Sequence, residues 1–224
     1  IGCVGRDVLG DECEQMLAAE GVDIKCLERT NTATGRGVNI IDSAGIPVMI
    51  VAAGANNDLA PQGVVSYIDS YPDARVLLTQ LETPISTVLS ALAHARTRGL
   101  LTILNAAPAT IVMDELRGCA DVLVVNEIEA ASLLGISVNE INSEDRARQL
   151  SERAEIPNVV ITLGSKGAIA SSDSQVSTHP APSVTAIDAS GAGDVFCAAL
   201  AAEMAEGAGL PEACAFAVRV AALS

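Results

Sequence analysis

Short β-rich runs alternate with amphipathic helical stretches along most of this chain, and that alternation restricts its fold more than any other feature. Strands are expected at Ile1–Val4, Arg75–Gln80, Leu100–Asn105, Val122–Val125 and Val159–Thr162. Helices are expected at Leu9–Glu20, Pro61–Ser70, Pro84–Arg98, Glu127–Leu134 and Ser143–Ala154. Pro61 and Pro84 stand where a first helical turn tolerates proline, while Gly21 and Gly99 follow their helices as terminators. Strand–helix–strand repetition builds a mostly parallel sheet covered on both faces. The expected architecture is therefore a three-layer α/β/α domain.

One stretch departs from this rhythm. From Thr34 to Ala53 two β-like runs, Gly37–Ile41 and Pro47–Val51, flank Asp42-Ser43-Ala44-Gly45, which reads as a hairpin. Such an insertion serves either as an edge decoration or as a small β lid. With no internal repeat or linker, residues 1–224 read as a single domain with this hairpin at 34–53. The chain begins at Ile1 rather than Met, and a helix starting near Pro211 is expected to run on to Leu223–Ser224. Both ends read as cut, so the domain is expected to be incomplete.

Charge narrows the function. Thirteen basic residues against 28 acidic ones give a net charge of −15, which argues against nucleic acid as a partner. No apolar run approaches the roughly 20 residues of a membrane span, and no secretory signal is visible. The only lysines are Lys25 and Lys166, and no G-x-x-x-x-G-K-[ST] occurs, which removes a P-loop. A nucleotide can still be held by backbone amides, a helix start and Mg²⁺. Six cysteines without a C-x-x-C pair read as reduced thiols of a cytoplasmic protein.

The most informative segment is Asp188-Ala189-Ser190-Gly191-Ala192-Gly193-Asp194-Val195-Phe196. It follows a β-like run, Val184–Ile187, and opens an apolar helical stretch, Val195–Ala205. Glycines at such a turn let backbone approach a ligand, and the free amides and dipole of the helix start favour an anion. Asp194 at its edge can accept a proton from an attacking hydroxyl. Anion hole and base together are what phosphoryl transfer to an alcohol requires. On residue grounds alone the segment fits a plain helix N-terminus equally well.

Asp188 through Asp194 resembles the D-T-x-G-A-G-D signature of the ribokinase-like (PfkB) family of sugar and nucleoside kinases, with Ala189 in place of the usual Thr. The resemblance implies Asp194 as catalytic base and the amides of Gly191, Ala192 and Gly193 as the anion hole. It also implies that Asp188 and the Ser190 carbonyl help hold a monovalent cation, K⁺. Asn126-Glu127-Ile128-Glu129 resembles the family's N-x-x-E element, with Glu129 organising Mg²⁺ through water and Asn126 near the phosphates. By composition alone the same residues make an ordinary N-cap with an acidic first turn. Thr162-Leu163-Gly164-Ser165-Lys166-Gly167 is similar to the strand-to-turn segment that lines ATP, and equally to a plain hairpin.

Leu78-Thr79-Gln80-Leu81-Glu82-Thr83-Pro84 resembles the strand end whose glutamate binds the sugar, a role carried to Glu82. Together with Gly54-Ala55-Asn56 and Asn105-Ala106-Ala107-Pro108, it points to the ribose-phosphorylating branch. The hairpin at 34–53 becomes part of the lid over the sugar, and a homodimer through that lid follows by analogy. The family's first strand, its G-G-K-G-A-N-like segment and its closing part have no counterpart here. Where the family often places His or Asn near adenine, this chain has Val218. The expected activity is transfer of the ATP γ-phosphoryl group to the terminal hydroxyl of D-ribose. The alternatives are another acceptor (fructose, a keto-deoxy sugar acid or a nucleoside) or a non-catalytic nucleotide-binding fragment.

Overall fold

The computed structural model describes residues 1–41, 47–173, 175–184 and 191–224, with the side chains of 39–41 and 47–49 outside that description. Two compact units emerge. Ile1–Pro72 with Glu82–Ala91 form one, and Asp73–Leu81 with Leu92–Ser224 form the other.

In the first unit, β1 (Gly2–Gly5), α1 (Val8–Ala19) and β2 (Leu27–Thr30) form a strand–helix–strand turn in which β1 and β2 pair in parallel. The expected first strand thus pairs with a neighbour the sequence did not flag: β2 reads Leu-Glu-Arg-Thr, too polar to stand out. The hairpin is present as β3 (Arg36–Ile41) and β4 (Pro47–Ala52), antiparallel and in a two-stranded sheet of their own. α2 (Pro61–Asp69) starts on its proline and buries Val64 and Ile68.

The second unit holds a six-stranded sheet. β5 (Val76–Thr79), β6 (Leu101–Asn105), β7 (Val122–Asn126) and β8 (Asn158–Thr162) lie parallel in chain order. β9 (Ala168–Ser172) and β10 (Gln175–His179) extend the sheet antiparallel. Neither of these was expected. Ala-Ile-Ala-Ser-Ser has little strand preference, and its pairing with β8 imposes the extended form. The crossovers carry α3 (Ile85–Thr97), α4 (Met113–Leu116), α5 (Glu127–Leu134) and α6 (Ser143–Ala154). α7 (Ala192–Ala205) and α8 (Leu210–Ala221) follow the sheet.

The parallel strands are apolar on both faces, as a covered sheet demands. Ile103, Val122, Val124, Val160 and Ala170 face one core with Phe196 and Leu200 of α7 and Ala217 of α8. Their alternating neighbours Leu104, Leu123, Val125 and Ile161 are equally buried on the other face. Each large aliphatic buried in this way contributes about 1.5–3 kcal/mol.

Two expectations are corrected. The last helix does not run on to Ser224: it ends at Ala221, and the N–H of Ala222 bonds back to Val218. Val218, expected beside adenine, is buried in the core against the sheet. The run Val184–Ile187 is irregular at Val184 and otherwise lies outside the described residues.

Candidate functional site

Open α/β sheets bind ligands beyond the carboxyl ends of their parallel strands, and in the second unit those ends are polar. β6 ends on Asn105, β7 on Asn126 and β8 on Thr162, with Asn126 and Thr162 in register. The start of α7 faces these ends across a cavity of about 200 Å³. Asn105, Asn126, Glu129 and Thr162 line it from the sheet side, and Gly191, Gly193, Asp194 and Cys197 from the helix.

The geometry of the helix start follows from its glycine. Gly191 occupies the N-cap at φ 79°, ψ −5°, a left-handed conformation that a Cβ would disfavour. Among the described residues no side chain caps the terminus. The Val195 N–H bonds back to the Gly191 carbonyl at 2.9 Å. The amides of Ala192, Gly193 and Asp194 precede that bond and belong to the turn whose N–H groups lack intrahelical acceptors. Asp194 is the third helical residue and is exposed. A carboxylate therefore stands beside free amides at the positive end of a 14-residue helix.

Across the cavity, Asn126 and Glu129 form a capping box. Asn126 Oδ1 accepts from the N–H groups of Ile128 and Glu129, both at 2.9 Å. Glu129 Oε2 accepts from the Asn126 N–H at 2.8 Å. Burial raises the Glu129 carboxyl above its usual range, against the pull of that N–H. Cys197, one turn beyond Asp194, is buried; desolvation, then Asp194 and Glu129, push its thiol up to about 12. All three side chains line the same cavity.

The sequence-expected residues divide accordingly. Asn126, Glu129, Thr162, Gly191, Gly193 and Asp194 meet at one cavity. Leu163, Gly164, Ser165, Lys166 and Gly167 form the β8–β9 connection, where the Leu163 N–H reaches the Gly167 carbonyl at 2.8 Å. It is a hairpin turn, and its first strand delivers Thr162 to the cavity. Glu82 is an exposed residue of the first unit and does not line this cavity. Asp188 and Ser190 lie outside the described residues. Sequence reasoning used Asn105 only as a family marker and missed Cys197. Its position three residues after Asp194, on the same helical face, was the available signal.

The donor set suits a hard cation. Its candidates are oxygens, and one oxygen of Glu129 is already engaged by the cap. Among the described residues no group of three or more His, Cys, Asp or Glu side chains could hold a metal. A hard cation of the Mg²⁺ kind is commonly held by one or two carboxylates, water and substrate phosphates.

Helix-start amides with no acceptor among the described residues, and a carboxylate at the carboxyl edge of a parallel sheet, define an α/β protein suited to an anion beside a proton-releasing group. The model of the "pfkB family carbohydrate kinase" matches residues 1–224. A ribokinase from Haemophilus influenzae is 32% identical over 100% of this chain and 74% of its own length. One from Staphylococcus aureus is 32% identical over 90% of this chain and 66% of its own. The structure of Arabidopsis thaliana ribokinase complexed with ribose and ATP superposes with a TM-score of 0.84 at 26% identity, covering 100% of this chain and 74% of that one. The chain belongs to the pfkB family of carbohydrate kinases.

Proposed function

We propose that this chain transfers the γ-phosphoryl group of ATP to the terminal hydroxyl of D-ribose, giving ribose 5-phosphate. The observation that carries the reading is Asp194 on the first turn of α7, beside the amides of that helix start and facing Asn126 and Glu129 across one cavity. The curated relatives and the ribose- and ATP-bound neighbour support ribose as acceptor.

Asp194 accepts the proton of the 5-hydroxyl as that oxygen attacks phosphorus. The Gly191, Ala192 and Gly193 amides stabilise the charge that builds on the transferring group, a task dipoles fixed before the reaction perform well. Asn126 contributes its side-chain NH₂ towards the phosphates, since its carbonyl is committed to the cap. The segment from Thr162 to Gly167 lines the nucleotide, with Lys166 on its exposed turn. Glu82 accepts hydrogen bonds from sugar hydroxyls, the chemistry of an ionised carboxylate. Bound Mg²⁺, held by Glu129 through water, would neutralise phosphate charge. Bound K⁺, at Asp188 and Ser190, would add positive charge beside the anion hole.

Free thiols at all six cysteines suit a reducing, cytoplasmic setting. Exposed Val38, Ile50 and Val51 on the hairpin favour a homodimer through that element. A coupled ADP-release assay with ribose, fructose, a keto-deoxy sugar acid and a nucleoside tests the assignment. Ribose is expected to give the highest kcat/KM, and a clear preference for another acceptor would replace it.

A further inference from the structure

Within the first unit, a single aspartate gathers three donors. Asp7 caps α1, and its Oδ1 accepts the Gly10 N–H at 2.9 Å and the Thr34 hydroxyl at 2.5 Å. Its Oδ2 accepts the Thr34 N–H at 2.9 Å. The Thr34 Oγ1 in turn accepts the N–H of Gly5, the last residue of β1, at 2.9 Å. Thr34 is buried, only 7% exposed, and lies two residues before β3.

The same place is the neck of the hairpin, where both its feet meet with no room for side chains. The Ala55 N–H bonds to the Ala33 carbonyl at 2.8 Å. A Cβ on Gly35 would lie 2.7 Å from the Ala53 carbonyl oxygen, and one on Gly54 would lie 2.4 Å from that of Ala33. Both are backbone contacts that cannot yield cheaply. Beyond the neck, β3 and β4 pair only with each other among the described residues. The direction in which the hairpin leaves the unit is therefore set at its feet, and among the described residues Asp7 bonds one of those feet, at Thr34, through its side chain.

We propose that Asp7 is the positioning residue of the β3–β4 hairpin, fixing through Thr34 the foot from which the hairpin is held for sugar binding. The functional half of this statement rests on the function proposed above, in which hairpin and Glu82, both on this unit, serve the sugar. An acceptor-only group is required. Asn at position 7 offers one oxygen and one NH₂ to three donors, so at least one N–H or O–H meets another donor. Thr34→Val keeps the shape but removes the hydroxyl that links Asp7 to Gly5.

The test measures amide hydrogen exchange and steady-state kinetics on the full chain carrying Asp7→Asn or Thr34→Val. Exchange over residues 36–41 and 47–52 is expected to quicken about tenfold or more, with β6, β7 and β8 unchanged. The sugar KM is expected to rise about tenfold while the nucleotide KM stays within about twofold. Unchanged hairpin exchange, or quickening spread equally over β6–β8, would overturn the assignment by reducing Asp7 to an ordinary helix cap. A matching rise in both KM values would overturn its sugar-specific part. If the unsubstituted chain phosphorylates no sugar, the functional reading fails, and the exchange arm alone decides the role of Asp7.

Discussion

Asn126 and Glu129 hold each other: the amide oxygen of one accepts the backbone N–H of the other at 2.9 Å, and the carboxylate returns the bond at 2.8 Å. Both side chains thereby face the cavity in fixed positions before any ligand arrives. The local rule for starting a helix and the proposed chemistry share the same atoms.

Glu129→Gln separates these roles, because glutamine keeps the cap but not the charge. The melting temperature is expected to stay close to the parent's, while the Mg²⁺ concentration for half-maximal activity rises several-fold. Glu129→Ala loses the cap as well and is expected to cost a further ~1 kcal/mol in denaturant unfolding. An unchanged Mg²⁺ requirement in Glu129→Gln would remove the carboxylate from the metal site.

Asp194→Asn is expected to lower kcat on the order of 10²–10⁴-fold, the usual worth of a positioned base. The side chain is exposed at the helix start, so the far-ultraviolet circular dichroism spectrum and melting curve should match the parent. Nucleotide affinity, measured by calorimetry, should change little. Retention of most of the turnover would mean another group takes the proton.

Asp7 makes stability depend on acid. Hydrogen bonds from the Thr34 side chain, its backbone N–H and that of Gly10, with Arg36 nearby, hold its carboxyl at about 2 against an ordinary 3.8. A carboxylate depressed by folding adds stability that is full above the unfolded value and is lost as pH falls through the folded one. Between about pH 4 and pH 2 the parent's melting temperature should therefore fall more steeply than that of Asp7→Asn. Equal slopes would show that the Thr34 bonds do not favour the ionised form.

Gly167→Ala is expected to destabilise by about 2 kcal/mol or more in urea unfolding. The residue has φ 101°, and a Cβ would lie 2.0 Å from the His179 carbonyl oxygen. A loss under about 0.5 kcal/mol would mean that the β9–β10 edge yields freely.

Cys197, its thiol pushed up to about 12 by burial and neighbouring carboxylates, should resist iodoacetamide at pH 8 while the partly exposed Cys13 is labelled. Peptide mass spectrometry reads both. Rapid labelling of Cys197 would show that water and reagents reach the inner wall of the cavity freely.

Elements whose signals are local can be read from the residues alone. Periodicity and end residues placed α5 and α6 at the bounds observed, and β6 to β8 within a residue or so, because an apolar run closed by a capping side chain leaves a short segment few other low-energy states. The glycines and aspartate at 191–194 likewise announced a helix start with free amides. β2, β9 and β10 were not legible, since polar or small runs such as Leu-Glu-Arg-Thr and Ala-Ile-Ala-Ser-Ser become strands only through hydrogen bonds to a neighbouring strand.

Which polar groups share a cavity depends instead on how distant segments pack. Asn126 and Thr162 sit 36 positions apart, yet adjacent parallel strands bring them side by side, and α7 adds Asp194 from later still. Packing also decided that Val218 is a core residue, and that the Thr34 hydroxyl closes onto Asp7 and Gly5. Such outcomes depend on burial and hydrogen bonding between distant segments, and those energies exist only once the chain has condensed around them.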